Sequence, residues 1–368
     1  MNLQIDGELL VSEIETLATF SEAEAPVVTR IVFTPADLRA RAWLKARCDE
    51  AGLTVRSDSI GNTFARWNGS DESAPAVGTG SHIDAIPNAG KYDGVVGVLG
   101  GLEAIRALQR GGFRPRSSIE LLVFTAEEPT RFGIGCLGSR LLSGTLSPDA
   151  AQTLIDRDGA SVEDVRAAAG FKGKLKEVKL PNGYYKAFVE LHIEQGPLLE
   201  REGIPLGIVT KIAAPASLRI SIEGAGGHAG GVLMPDRRDA LCAAAELILA
   251  IENAALSRHA LDLACKTISA KRRVSIETEV LNADAPGDCA LFVIDALSRS
   301  CTKYGLKFTP MVSRAYHDSL FMARIAPAAM LFIPCRNGYS HRPDEYASPE
   351  DIAKGTLVLA ETLAMLSA

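Results

Sequence analysis

No apolar run in these 368 residues approaches the roughly 20 that a helix needs to span a bilayer, so no membrane association is expected. Basic residues are scattered along a chain of formal charge -6, which leaves no electrostatic footprint for nucleic acid. The seven cysteines are odd in number and never arranged as C-x-x-C, which excludes a disulfide framework and a zinc ribbon and predicts reduced thiols. Neither phosphate-cradling glycine pattern, G-x-x-x-x-G-K-[ST] or G-x-G-x-x-G, occurs in the right context. Met1 to Leu10 carries no basic or apolar leader. The expected compartment is therefore the cytoplasm, or the endoplasmic reticulum if a leader lies outside this chain.

What remains is glycine-rich and apolar enough, at 47% hydrophobic residues, to bury a core of about two domains. Helical spacing runs from about Glu8 to Phe20 and from Thr34 to Ala51, where Thr34-Pro35 marks a helix start. The period then changes. Strands are expected at 54–56, 63–67, 76–80, 119–125, 187–194 and 330–335, with helices at 94–109, 138–142, 161–169, 197–202 and 289–303 and a last one from Pro349 to Leu366. Strand, polar segment, helix is the order of a largely parallel α/β sheet, with sites outside the carboxyl ends of its strands. Near Ala213-Ala214-Pro215 the chain leaves this domain for a strand at 218–223, a helix at 236–253 that ends near Leu256, and a strand at 273–281. The reading is a discontinuous larger domain, 1–212 with 288–368, and a small α+β insert, 213–287.

Four of the six histidines follow strand-like runs and stand among acidic residues. In Ser81-His82-Ile83-Asp84 the carboxylate two positions on can hold the second ring nitrogen of His82 and free the first for a metal. Alone, such a triplet is more often a structural pair. Asp93 reads as a helix N-cap or as a carboxylate bridging two cations. Glu127-Glu128 ends an apolar strand, and adjacent carboxylates repel unless a cation or a proton is shared. A solvated turn is the alternative. If the pair is functional, one glutamate ligates metal while the other takes a proton from an activated water. His192, in an apolar strand, and His341, between Ser340 and Arg342, each also read as ordinary strand and loop histidines. His228 sits among glycines that permit close approach, either as an incidental hinge residue or as a donor to an oxyanion. His259 has no acidic neighbourhood and reads as structural. Mixed imidazole and carboxylate groups at several strand ends suit two hydrolytic cations better than one cage.

Four segments, GSHIDAIPNAGKYDGVVGVLGG, FTAEEPTRFG, ELHIEQGPLLE and GGHAGGVLMPDRRDA, resemble the metal-dependent amidohydrolases of the carboxypeptidase and aminoacylase superfamily. The similarity runs over nearly the whole chain and lies in the branch of allantoate amidohydrolase, N-carbamoyl amino acid hydrolase and β-ureidopropionase. Two more, MVSRAYHDSLFMARI and FIPCRNGYSHRPDEYASPEDI, are most similar to the ureidoglycolate amidohydrolases of that branch. The resemblance implies an aminopeptidase-like catalytic domain and two divalent cations, usually Mn2+ with Zn2+, Co2+ or Ni2+ as alternatives. These would be held by His82, Asp93 as bridge, Glu128, His192 and His341. It implies Glu127 as general base with Asp84 and His228 in catalytic roles, and Gln195, His228, His317 and Tyr339 facing a small ureido-carboxylate substrate. The implied reaction is hydrolysis of (S)-ureidoglycolate to glyoxylate, ammonia and carbon dioxide, with allantoate or an N-carbamoyl amino acid as alternative substrates. The implied assembly is a homodimer. In one respect the chain departs from the pattern: RHALDLACKTISAK leads directly to the insert's last strand, without two middle strands that carry a carboxylate-binding Asn and Arg. Their loss weakens substrate and dimer contacts. It also raises a reading of another class, an inactive metal-binding variant that associates with full-length subunits.

Overall fold

The computed structural model describes residues 3–253 and 258–368. Its strands are β1 (Val28–Arg30), β2 (Thr54–Ser57), β3 (Thr63–Trp67), β4 (Ala76–His82), β5 (Ala85–Ala89), β6 (Ile119–Phe124), β7 (Tyr185–Ile193), β8 (Leu206–Ile212), β9 (Ser217–Glu223), β10 (Ser275–Asn282), β11 (Gly287–Asp288), β12 (Phe308–Ser313) and β13 (Ala328–Ile333). Nine form one sheet in the order β11-β8-β13-β7-β4-β6-β3-β2, with β12 beside β8. The pairings make β2, β4, β6, β7, β11 and β13 run one way and β3, β8 and β12 the other. This is the expected mixed, largely parallel sheet. Its central strands β4, β6 and β13 are buried along their length and β7 at every residue but Lys186, as expected of parallel strands covered on both faces.

Helices supply that cover. Val95–Arg110 is almost wholly buried, and Gly97 lets it lie against β7, because a Cβ there would stand 2.3 Å from the carbonyl oxygen of Leu191. Pro349–Ser367 packs beside it, capped by Ser348, whose hydroxyl accepts the backbone N–H of Asp351. The cap expected of Asp93 is absent: the N-cap is Gly94, at φ +66°, with no side-chain capping bond.

The chain divides into two compact units, residues 1–214 with 285–368, and residues 215–284. The change of unit falls before Gly287–Asp288 because these residues pair with β8 in the large sheet. In the smaller unit β9 and β10 form an antiparallel pair, packed by the helices Ala240–Asn253 and Arg258–Arg272 over a core that includes Ala243, Leu247, Leu261 and Ile268. Its sheet has two strands among the described residues. The second helix occupies the RHALDLACKTISAK segment. The helix end expected near Leu256 and the His259 side chain lie outside what is described.

No helix among the described residues is long and apolar enough to cross a membrane.

Candidate metal centre

Because β4, β6, β7 and β13 are parallel neighbours, their carboxyl ends meet at one edge of the sheet. His82 is the last residue of β4, and His192 is the penultimate residue of β7. Glu127 and Glu128 follow β6 beyond Ala126, whose φ is +53°. Asp93 precedes the helix Val95–Arg110, and His341, at φ +60°, lies in the loop after β13. Residues 259 positions apart thus converge. His82, Asp93 and His192 bring one ligand atom each within 4.8 Å of one another, and Asp93, Glu128 and His341 do the same.

Asp93 belongs to both groups. Its Oδ1 lies 3.2 Å from His192 Nε2 and 3.7 Å from His82 Nε2, and its Oδ2 lies 3.3 Å from His341 Nε2. His341 Nε2 is in turn 3.1 Å from Glu128 Oε1. Gly94 makes this possible, since a Cβ there would fall 2.5 Å from the His82 ring.

The ring tautomers suit cation binding. A carbonyl oxygen only accepts, so His82 Nδ1–H donates to the Asp84 carbonyl at 3.0 Å and His192 Nδ1–H donates to the Ile193 carbonyl at 2.9 Å. Both Nε2 lone pairs then face Asp93. For Asp84 the expectation needs correction: its carbonyl, not its carboxylate, holds the ring. The carboxylate, 3.7 Å from Nδ1, instead accepts the backbone N–H groups of Glu127 at 3.3 Å and Glu128 at 3.1 Å. Asp84 therefore ties the two histidine and glutamate segments together.

Charge at the site is poorly balanced by protein cations. Burial, then the neighbouring Glu128, pushes Glu127 well above the usual carboxylate range, and burial also raises Glu128 against the pull of His341. Burial would raise Asp93, but hydrogen bonds from His192 and His341 outweigh it and hold it well below. His341 is pushed up to about 11 by its bonds to Asp93 and Glu128. Two demands compete at His192: burial lowers it and the Gly94 N–H points at its Nε2 from 3.2 Å, while Asp93 draws it up to about 9. A divalent cation resolves both, neutralising the carboxylates while taking the imidazole lone pairs. The donor set fits such ions.

Gln195, at φ +53°, turns its amide inward so that Nε2 donates to Asp93 Oδ2 at 2.8 Å. His317 is buried, its ring 4.6 Å from that of His192, with Nε2 unpaired. Tyr339 is half-buried under the Arg342 guanidinium, 3.8 Å from the ring centre. His228 lies in the smaller unit, on an exposed loop where Gly230 N–H donates to its Nδ1 at 3.2 Å, leaving Nε2–H as a donor. The cluster is complete in the larger unit without it.

Several supports escaped the sequence reading. Glu345 accepts the backbone N–H groups of Tyr92 and Asp93, while the single Ser340 hydroxyl proton goes to Asp93 Oδ2 at 2.5 Å, with Glu345 Oε2 3.1 Å from the same hydroxyl oxygen. Glu190 accepts from Ser81 and Ser319 beneath the site. A signal existed for Glu190, which stands two residues before His192 and so shares its strand face.

Residues 78–365 match peptidase family M20/M25/M40. The chain belongs to that family. It is 46% identical over 417 aligned positions to ureidoglycolate hydrolase of Arabidopsis thaliana, covering all of this chain and 88% of the relative. Ureidoglycolate hydrolase of Oryza sativa subsp. japonica is also 46% identical, over 99% of this chain and 85% of the relative. Among solved structures, AtUAH in complex with glyoxylate and in complex with (S)-hydroxyglycine each superpose with a TM-score of 0.91 at 46% identity, over 99% of this chain and 98% of that one. This M20-family member is thus a hydrolase of the ureidoglycolate amidohydrolase type, with buried His, Asp and Glu groups suited to metal.

Proposed function

We propose that this chain hydrolyses (S)-ureidoglycolate, with one water, to glyoxylate, carbon dioxide and two molecules of ammonia. The observation that carries the reading is Asp93 shared between two ligand groups, with Glu127 Oε2 3.7 Å from His82 Nε2. His82, Asp93 and His192 would hold one cation, and Asp93, Glu128 and His341 the other. When bound, two divalent ions, Mn2+ by the family resemblance, supply Lewis-acid polarisation of the ureido carbonyl and a lowered pKa for water.

Glu127 takes the proton of the attacking water and delivers it to the departing nitrogen. A carboxylate already pushed upward by burial is suited to holding that proton between the two transfers. The first ammonia leaves a carbamate, which loses carbon dioxide. The hydroxyglycine that results expels its amine as the second ammonia. His317, whose buried Nε2 lacks a protein partner, and Tyr339 face the substrate, together with Gln195. His228 Nε2–H supplies a hydrogen bond to the developing oxyanion, and the smaller unit serves as lid and dimer contact.

A second reading rests on that unit. Its sheet has two strands among the described residues where the resemblance leads one to expect four, which favours a metal-binding chain without turnover. One experiment separates the two. Ammonia and glyoxylate release are followed with added manganese on ureidoglycolate, allantoate and an N-carbamoyl amino acid, beside a Glu127→Gln control. Turnover fastest on ureidoglycolate supports the proposal; none above the control establishes the second reading.

A further inference from the structure

Glu127 is held from one side by a residue to which nothing above gives a role. Cys136 Sγ–H donates to Glu127 Oε1 at 3.3 Å, leaving Oε2 turned toward His82. Three backbone bonds fix the two segments against each other. Cys136 N–H donates to the Glu127 carbonyl at 2.7 Å, Leu137 N–H to Ala126 at 2.9 Å, and Gly138 N–H to Thr125 at 2.8 Å. Cys136 is fully buried, so its thiol has no water as an alternative partner. Burial, then the charge of Glu127, keeps it well above the ordinary thiol range, so it stays protonated and donates.

Local structure offers no other reason for cysteine. The residue occupies the N-cap of the helix Leu137–Ser143 yet makes no side-chain capping bond, and its φ is +57°. An N-cap favours Ser, Thr, Asp or Asn, and a left-handed backbone favours Gly or Asn. Cysteine meets neither preference. A strained position that keeps a side chain pointed at a reactive group is a sign of function.

We infer that Cys136 is a positioning residue for the general base, its thiol holding the Glu127 carboxylate so that Oε2 faces the reacting water. The inference rests on the proposed role of Glu127. Removing the donor frees the carboxylate to rotate. Turnover falls, while metal and substrate affinity stay, because Glu127 belongs to neither ligand group.

Three variants of the full chain, loaded with manganese, test this: Cys136→Ser keeps a donor, Cys136→Ala removes it, and Cys136→Gly removes it while relieving the left-handed backbone. For each, kcat and KM on (S)-ureidoglycolate, bound manganese and Tm are measured. The expected result is a fall in kcat of roughly ten- to a hundredfold for the alanine and glycine variants. Their KM and metal content should match wild type, and the serine variant should stay within about threefold of wild-type kcat. A glycine variant as active as wild type overturns the inference, and so does a serine variant that falls as far as alanine. Wild-type chain without turnover, or Glu127→Gln as active as wild type, would instead remove the functional reading beneath it.

Discussion

Glu345 Oε1 accepts the backbone N–H of Asp93 at 3.1 Å, across 252 residues of sequence, and thereby fixes the carboxylate shared by both ligand groups. The same oxygen takes the Tyr92 N–H at 2.7 Å. Glu345→Gln keeps the size but weakens both bonds, so manganese affinity should fall about 10- to 100-fold, the usual cost of losing a group that orients ligands. Calorimetric titration of the metal-free protein reads this directly. Unchanged affinity would show that Gln195 and Ser340 hold Asp93 without help from Glu345.

In the proposed mechanism Glu127 transfers a proton, and it belongs to neither candidate ligand group. Glu127→Gln should therefore retain bound metal and KM while kcat drops by about 10²- to 10⁴-fold, the range for a general acid or base. Metal analysis beside steady-state kinetics checks both halves. Loss of metal in this variant would move Glu127 among the ligands.

Gly94 leaves room for a ring. Because an added Cβ would meet three atoms of the His82 imidazole within 2.6 Å, Gly94→Ala must displace the imidazole or the helix start, at a left-handed φ that alanine also resists. The expected outcome is a lower Tm and loss of about one equivalent of manganese. Wild-type stoichiometry would contradict the close packing argued for this position.

Without metal, protonation should govern stability at this site. Asp84 and Glu345, both raised to about 7 by burial first, bind protons more tightly folded than unfolded, so their contribution is lost as pH rises through about 4 to 7. His192, drawn up to about 9, and His341, to about 11, contribute fully below their unfolded value of 6.5 and lose that contribution as pH rises through the folded values. All four act in one direction. Tm of the chelator-treated protein should fall steadily from pH 6 to 10, and much less once manganese has displaced the imidazole protons. A metal-free Tm that rises over that window would refute it.

The candidate ligands His82, Glu128, His192 and His341 were visible in sequence because each ends or follows an apolar run, and Glu127-Glu128 pairs two charges that need a counter-ion. Strands interrupted by proline were not. β5 carries Pro87 and β12 carries Pro310, a residue that demotes a strand reading, and among the described residues β12 pairs only with β8. Leu261, Ala264, Cys265 and Ile268 stand at helical spacing in Arg258–Arg272, yet the sequence reading took this segment only as a connection to the insert's last strand. Glu345 and Cys136 could not have been found by spacing. Their roles depend on which backbone N–H or carboxylate the fold carries to them.

Anomalous scattering from crystals grown with manganese shows most directly whether Asp93 joins two cation sites. Two peaks are expected, one bounded by His82, Asp93 and His192 and the other by Asp93, Glu128 and His341. A single peak, or peaks away from Asp93, would contradict a shared Asp93.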